Sequence, residues 1–309
     1  MLVSDLAGRI RRLHAAGALT LPFPGRGRTA DRHLALMNLG RTDLSAARLA
    51  EAHTDAVAIL AEHDRGAQMA GIYGVWASDG PQSRLTAVPE GRGWRINGIK
   101  QYCSGAGLID AALVTAHCPE GVRLFEMPLS VPGISMLESQ WVSPGFADTA
   151  TGPVRFDEVR VPLAAAVGGP SWYLDRPGFW HGAVGPAACW AGGALGLIDA
   201  AIGLNRKDPH SRAQAGALLA IAWGLEAIVV KAGEEIDEDP ADRDRAGKRA
   251  LKVRHLVERW CTEVLDRFGQ ATGPQLLAHD SQVVCQHAAL ALYIRQCHGA
   301  RDLEFLATP

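Results

Sequence analysis

Hydrophobic positions change their spacing twice along the chain. Before residue 71 they recur at helical spacing after a cap at Asp43-Leu44-Ser45. Between about 72 and 165 short apolar or alternating runs predict strands, and from about 180 onward the helical spacing returns. The pattern therefore predicts an α+β protein with an N-terminal helical domain over 1–70, a middle β domain over 71–168 and a C-terminal helical bundle over 169–309.

Five strands are expected in the middle zone: Leu85–Val88, Trp94–Ile96, Ala111–Ala116, Val122–Met127 and Val154–Val161. The run 89–93 (PEGRG) separates the first two, and Asn97-Gly98 gives a second hairpin signal, because Asn-Gly favours the tight turns that join antiparallel strands. In the helical zone, prolines predict breaks between long helices at Asp208-Pro209, Asp239-Pro240 and Gly273-Pro274.

Composition places the chain among packed proteins. Its 309 residues are 48% hydrophobic and 21% charged, which argues against intrinsic disorder. The formal charge of -2 provides no global field for a polyanion, so nucleic acid is not expected as a partner. The six cysteines are scattered without CxxC or zinc-like spacing, which is typical of reduced thiols in a cytoplasmic protein.

Neither apolar nor charged stretches indicate a membrane protein. The first 25 residues carry two central arginines and lack the apolar core of a signal peptide. Residues 182–198 are mainly Ala and Gly, which favours a buried helix over a membrane span. The charged run 234–249 is interpreted as a solvated turn with helix-end charges, with a partner-docking surface as the alternative.

Common catalytic motifs are missing from the sequence. There is no HExxH and no paired carboxylate and histidine spacing, so no metal site is predicted. There is also no GxGxxG, GxxxxGK[ST] or GxSxG, so dinucleotide-fold dehydrogenases, P-loop enzymes and common serine hydrolases are not supported.

Two segments in the β zone carry a family resemblance. Residues 94–107 (WRINGIKQYCSGAG) resemble the GxxxxNGxKxWITNG segment of the acyl-CoA dehydrogenase superfamily, and residues 149–162 (TATGPVRFDEVRVP) resemble its segment ending in VxFxDVxVP. Val167-Gly168 matches the turn that follows. The stretch 73–80 (YGVWASDG) occupies the place of the TEPxxGSD-like loop, although only its general pattern survives. The chain is short for this superfamily, which implies a reduced N-terminal helical domain.

The resemblance implies FAD as cofactor and assigns residues to it. A flavin ring needs a dry wall and hydrogen-bond donors beside it. Tyr102 and Ser104 match the family's Trp and Thr that flank the flavin, and Trp76 aligns with a Thr position in the preceding loop. The alternatives are a strand-end pair without ligand for Tyr102 and Ser104, and sheet packing for Trp76.

The family's catalytic glutamate has no counterpart here. By spacing, His298 holds its position, which resembles the branch of flavin-dependent monooxygenases in which His acts as proton donor or base. The alternative is a histidine that faces a helix C-terminus. Glu304 is a second catalytic candidate, although Arg301 to Glu304 also forms an ordinary i, i+3 charge pair.

Further candidates come from partial motif matches. The segments at 206–216 and 267–273 partly match family segments that reach FAD phosphates across a dimer interface. The match implies that the cofactor-binding residues include Arg212, Arg267, Gln270 and Gly273. The alternative is that these four residues are ordinary surface or helix-end positions. Residues 173–182 are rich in aromatic side chains. Tyr173, Phe179 and His181 are candidates for substrate binding there, with anchoring of the interdomain joint as the alternative.

The resemblance thus implies an FAD-dependent oxidoreductase that oxidises an acyl-CoA thioester or related small substrate by two electrons, acts on CH-CH groups and forms a homodimer or homotetramer. Because the glutamate is missing, a reduced-flavin monooxygenase is an open alternative. A non-catalytic family member that serves as a partner subunit is another, because the phosphate motifs are eroded. No nucleic-acid partner, membrane span or metal is expected.

Overall fold

The structure is a computed structural model that describes residues 5–80 and 83–308. The first four residues of the N-terminal stretch considered above lie outside the described residues. The described chain forms two compact units. The β unit comprises residues 1–20, 52–142 and 147–179, and the helical unit comprises 21–51, 143–146 and 180–309. The three-domain division at 70 and 168 stays a prediction.

The elements follow the predicted order. Three helices come first: α1 (Leu6–Ala15), α2 (Thr29–Thr42) and α3 (Leu44–Glu62). The strands are β1 (Tyr73–Trp76), β2 (Leu85–Glu90), β3 (Gly93–Cys103), β4 (Ala111–Cys118), β5 (Gly121–Pro128), β6 (Ile134–Met136), β7 (Gly152–Pro162) and β8 (Ala166–Val167). The remaining helices are α4 (Trp172–Asp175), α5 (Pro177–Gly182), α6 (Val184–Gly203), α7 (Pro209–Glu238), α8 (Arg243–Thr272), α9 (Gln275–His279), α10 (Ser281–Tyr293) and α11 (Ala300–Ala307).

The β unit is built on one sheet with the strand order β6-β7-β3-β2-β4-β5-β8, and β1 pairs in parallel with β4. All five predicted strands are present. The turn between β2 and β3 lies at Gly91-Arg92, within the predicted punctuation. The core of the β unit is formed where α3 and the strands meet, around Ile59, Leu113 and Leu124.

The second predicted hairpin is wrong. Asn97-Gly98 lies inside β3, which continues to Cys103 and pairs with β7 on both sides of an irregularity between Ile96 and Gly98. Gly98 has φ +125°, and a Cβ there would overlap the carbonyl oxygen of Arg84. The glycine therefore serves a bulge within a long strand rather than a turn.

The helical unit packs α6 against α2, α7 and α8. The predicted breaks at Asp208-Pro209, Asp239-Pro240 and Gly273-Pro274 all separate helices, and Asp208 caps α7 by accepting a hydrogen bond from Ser211 N. The stretch 182–198 mostly forms the buried helix α6, as predicted. Its small residues allow close packing, because a Cβ at Gly192 would overlap the carbonyl oxygen of Met37 in α2.

Among the residues that the structure describes, two helical stretches are long and apolar enough to cross a membrane by length and composition. Residues 177–203 have a mean hydropathy of 1.2 with 67% of the window buried, and α7 has a mean hydropathy of 1.7 with 22% buried. Core helices of soluble proteins pass the same test, and the burial of the first stretch matches that explanation. The exposed apolar face of α7 includes Leu219 and Trp223, which are 55% and 75% exposed.

Candidate functional site

The end of β3 presents an aromatic ring at the surface of the β unit. Tyr102 has φ +57° and is 58% exposed, while its neighbour Cys103 is fully buried. The pairing of β3 with β7 is irregular between Lys100 and Cys103, which accompanies this left-handed residue. Burial raises the pKa of the Cys103 thiol to about 12, so this cysteine is an inert packing group.

Ser104 ends a chain of hydroxyl groups. Thr149 Oγ1 and Thr151 Oγ1 share a hydrogen bond of 2.8 Å, and Thr151 Oγ1 donates to Ser104 Oγ at 3.1 Å. Because Ser104 Oγ accepts this bond, its own proton can be directed to a further acceptor. An exposed aromatic ring two residues before a half-buried hydroxyl could serve a planar ring ligand such as a flavin, with stacking from Tyr102 and a hydrogen bond from Ser104.

Trp76, the last residue of β1, supports Ser104. Its indole Nε1 donates to the Ser104 carbonyl oxygen at 3.0 Å, and the side chain is only 3% exposed. The indole also lines a cavity of about 450 Å³ with Ile109, Met136 and Val154. The structure thus brings Trp76 and Ser104 together, with the indole fixing the backbone of Ser104.

A buried lysine that was not among the sequence candidates shapes the loop after Trp76. Lys100 Nζ donates to Asp79 Oδ1 at 2.6 Å, to Thr115 Oγ1 at 2.8 Å and to Thr115 O at 3.0 Å. His117 Nε2 lies 2.8 Å from Asp79 Oδ2. The hydrogen-bond partners of Lys100 lie in other segments of the chain, the 77–79 loop and β4. In the sequence, only the NGxK motif therefore marks this lysine.

The charge pairing around Lys100 sets the ionisation of this network. Burial raises the pKa of Asp79, but hydrogen bonds from Lys100 and His117 outweigh this effect and hold the pKa below its usual value. Burial lowers the pKa of Lys100, and Asp79 partly offsets that effect. An ionised lysine and carboxylate therefore hold the 77–80 loop in place above β4.

Two of the predicted substrate residues lie in the packing of the β unit. Tyr173 is 7% exposed, belongs to the core with Leu113 and Leu124, and meets Phe179 edge-on at a centroid distance of 5.5 Å. Arg176 stacks on the Tyr173 ring at 5.2 Å and forms an ion pair with Glu62. These contacts are core packing within the β unit, and both contact of Tyr173 and Phe179 with a substrate and anchoring of the interdomain joint stay predictions.

His181 belongs to the helical unit. It is 4% exposed, and its Nε2 lies 2.9 Å from the carbonyl oxygen of Pro240. Because a carbonyl oxygen only accepts, Nε2 carries the proton in this contact. The imidazole therefore ties α5 to the turn between α7 and α8.

His298 lies in the short connection between α10 and α11, with its side chain 62% exposed. Asp302, which is buried, accepts a hydrogen bond from the backbone N of His298 at 3.2 Å, and its other oxygen lies 3.7 Å from His298 Nδ1. Gly299 has φ +56°, a conformation that glycine adopts readily. The imidazole is thus held on an anchored backbone and remains open to solvent.

Arg254 in α8 fixes the approach to His298. Its Nη2 donates to the carbonyl oxygen of Gln296 at 2.7 Å, and its Nη1 donates to that of Ala183 at 2.9 Å. Burial lowers the pKa of this guanidinium, which also stacks on the Trp190 ring at 4.7 Å. No local pattern in the sequence marks Arg254, because its partners Ala183 and Gln296 are distant in the chain. Glu304, in contrast, is exposed on α11.

The four candidates for phosphate binding lie at the start of α7 and the end of α8. Arg267 Nη1 donates to Gln214 Oε1 at 3.0 Å, and Gln214 Nε2 donates to Gln270 Oε1 at 3.1 Å. The structure thus links Arg267 to Gln270 through Gln214. Arg212 is exposed in the first turn of α7, and Gly273 ends α8 with φ +68° beside Arg206.

Solved structures share this fold throughout the chain. No protein-family model and no curated protein matches the sequence. Glutaryl-CoA dehydrogenase from Mycobacterium smegmatis superimposes with a TM-score of 0.81 at 15% identity, covering 98% of this chain and 86% of that chain. Methanesulfinate monooxygenase MsuC from Pseudomonas fluorescens gives 0.79 at 19% identity, covering 97% and 91%. The acyl-CoA dehydrogenase-like fold is therefore confirmed.

A third structure of this fold contains a flavin. TdsC from Paenibacillus sp. A11-2, in a complex with FMN and indole, gives a TM-score of 0.76 at 17% identity and covers 98% of this chain and 94% of that chain. The fold thus serves a dehydrogenase and monooxygenases alike. At these identities the likeness concerns the fold, and function depends on the residues of the sites described above.

Proposed function

We propose that this protein is a flavin-dependent oxidoreductase that acts as a monooxygenase on a small organic substrate. The observation that carries the proposal is His298, an exposed imidazole on an anchored loop at the position where the resemblance expects a catalytic glutamate. A neutral imidazole can take a proton and an imidazolium can return it near neutral pH. The solved structures of this fold that are monooxygenases or hold FMN support the same class.

The residues at the end of β3 fit a flavin ring. Tyr102 would cover the ring with its exposed phenol, and Ser104 would donate its hydroxyl proton to a ring acceptor, held ready by Thr151 and Trp76. A reduced flavin in this place would supply two electrons to oxygen, so that one oxygen atom enters the substrate and the other leaves as water.

The choice of flavin follows from the phosphate candidates. Arg267 and Gln270 are engaged with Gln214, so that among the four candidates Arg212 is the exposed cation without such an engagement. One such cation suits the single phosphate of FMN, and the FMN found in TdsC supports that choice. FAD, which the sequence resemblance implied, is the alternative to compare directly. We propose a cytoplasmic enzyme that works as a homo-oligomer.

A second candidate function is dehydrogenation of an acyl-CoA thioester. The structural similarity to glutaryl-CoA dehydrogenase favours it. In that role His298 would take the proton from the carbon next to the thioester carbonyl, in place of the glutamate. Action on CH-CH groups would then require that the flavin accept electrons from the substrate without oxygen.

Oxygen dependence separates the two functions. The protein is incubated with FMN or FAD, a flavin reductase with NADH, and a panel of small sulfur-containing and nitrogen-containing heterocycles under ¹⁸O₂. The monooxygenase assignment predicts one ¹⁸O atom in the product and no product under argon. Bleaching of the bound flavin by an acyl-CoA under argon, without product from the heterocycles, would instead establish the dehydrogenase. A protein that binds no flavin would overturn both.

A further inference from the structure

A groove between α7 and α8 concentrates positive charge in the helical unit. It encloses a cavity of about 490 Å³ between the C-terminal half of α7 and the N-terminal half of α8. Its lining residues are Ile228, Lys231, Ala232, Glu235, Asp244, Arg245, Lys248, Arg249, Lys252 and Val253. Arg212 and Arg267 lie at the opposite end of the same helix pair, so the groove is separate from the flavin-phosphate candidates.

Arg249 is the buried member of this cluster. Its side chain is only 4% exposed, and its Nε lies 3.3 Å from Glu235 Oε2. Its Nη1 and Nη2 are buried and have no hydrogen-bond partner among the described residues. Leaving the donors of a buried charged group unsatisfied is costly, so a ligand whose oxygen acceptors reach these donors would relieve that cost.

The basic side chains around Arg249 also favour an anionic ligand in the groove. Five lining side chains are basic and two are acidic, although the whole chain has a formal charge of -2. Lys248 pairs with Asp244 at 3.3 Å and Lys231 with Glu235 at 3.6 Å, both as i, i+4 pairs on the helix surface. Such surface pairs are weak and easily exchanged, so both ammonium groups remain available to a ligand.

Lys252 adds a cation that is not committed elsewhere. No ion pair involves it within the part of the chain that the structure describes, and it lies on α8 one turn after Lys248. The planar guanidinium of Arg249 with its two donors matches the oxygens of a phosphoryl group, and lysines add point charges around it. A volume near 490 Å³ also falls in the range of small-molecule sites.

We propose that this groove binds a phosphoryl group, with Arg249 as the buried anchor and Lys248 and Lys252 as outer contacts. The proposal is independent of the oxidoreductase function, because none of its residues belongs to the candidates for flavin or substrate. Two sources would supply the same chemistry: a soluble phosphate or diphosphate compound, and the headgroup of an anionic phospholipid.

Titration of the full-length protein tests the proposal. Calorimetry with inorganic phosphate and with pyrophosphate is run at constant ionic strength, so that general screening does not change between samples. We expect saturable binding, tighter for pyrophosphate. Arg249→Gln is expected to weaken pyrophosphate binding at least tenfold and Lys252→Gln about threefold, since the buried donors contribute more than an exposed charge. Arg259→Gln, an exposed position on the same helix outside the groove, is expected to leave binding unchanged.

A vesicle-binding experiment identifies the source of the phosphoryl group. Retention on phosphatidylcholine vesicles that contain phosphatidic acid, competed by pyrophosphate and lost in Arg249→Gln, indicates a lipid. Pyrophosphate binding without vesicle retention indicates a soluble ligand. If Arg249→Gln does not fold, the double variant Lys248→Gln/Lys252→Gln replaces it, with the same expected loss of at least tenfold. Absence of binding in both arms, or equal binding by the wild type and a folded groove variant, overturns the proposal.

Discussion

The indole Nε1 of Trp76 donates a hydrogen bond to the backbone carbonyl oxygen of Ser104 at 3.0 Å. This bond joins the end of β1 to the end of β3, the two segments to which the family resemblance assigns flavin contacts. Because the indole is 3% exposed, it acts through the backbone of Ser104 rather than as a broad open surface. Position 76, where the resemblance expects a threonine, thus contains a tryptophan that stiffens the backbone at Ser104.

Replacement of Trp76 by Phe keeps an aromatic ring and removes the donor. We expect flavin affinity to fall severalfold, because the Ser104 carbonyl loses its partner and the loop relaxes. The loss in the free energy of unfolding should be about 1–2 kcal/mol. Flavin fluorescence titration measures the affinity. Trp223→Phe, at a 75% exposed position, is the matched control, and equal affinities in the two variants would contradict this role of Trp76.

Lys100 is expected to hold the β unit together. Lys100→Met removes the donor to both buried Thr115 oxygens, at a cost of roughly 1–3 kcal/mol per buried group left unsatisfied, and it removes the ammonium beside Asp79, which is exposed and keeps its contact with His117. Urea unfolding monitored by tryptophan fluorescence should show a lower midpoint. The exposed Lys207→Met serves as control, and an unchanged midpoint in Lys100→Met would show that the network contributes nothing.

Two buried histidines should make stability depend on pH. Burial lowers the pKa of His33 and of His53 from 6.5 to about 4. The unfolded chain therefore binds more protons than the folded one between these values, so stability is full above about pH 6.5 and falls toward pH 4. The lowered pKa of each histidine corresponds to a pH-dependent change of roughly 3 kcal/mol in the free energy of unfolding.

Variants of these histidines separate the contributions of the two units. His53→Gln should flatten the pH dependence of unfolding for the β unit, and His33→Gln should do so for the helical unit, where His33 Nδ1 lies 3.1 Å from the Val229 carbonyl oxygen. Exposed His279→Gln should have no effect. Urea midpoints between pH 4 and 7.5 provide the measurement, and identical slopes in all four proteins would refute the assignment.

His298 is expected to carry proton transfer. His298→Asn should lower product formation by about 10²–10⁴-fold while flavin affinity stays unchanged, because positioned acid or base groups contribute in this range. His279→Asn is the control. Turnover within twofold of the wild type would remove His298 from the mechanism.

Local signals predicted the order of elements and most strands, while contacts between distant segments escaped them. The turn at Gly91-Arg92 follows from its residues, but Asn97-Gly98 carries the same local signal and lies inside β3, because pairing with β7 continues through it. Lys100 finds its partners in the 77–79 loop and β4, and Arg254 finds its own at Ala183 and Gln296. No periodicity encodes such pairs.

Flavin binding to the wild type and to Ser104→Ala tests the proposed flavin site. The purified protein is titrated with FMN and with FAD, and the change in flavin fluorescence and in absorbance near 450 nm is followed. The account predicts saturable binding of one flavin per chain, weakened about fivefold or more in Ser104→Ala, because its hydroxyl donor is lost. Ser171→Ala, at a serine of the β unit whose side chain makes no cap hydrogen bond to α4, should bind like the wild type. Absence of binding by the wild type, or equal affinity in Ser104→Ala, would contradict the account.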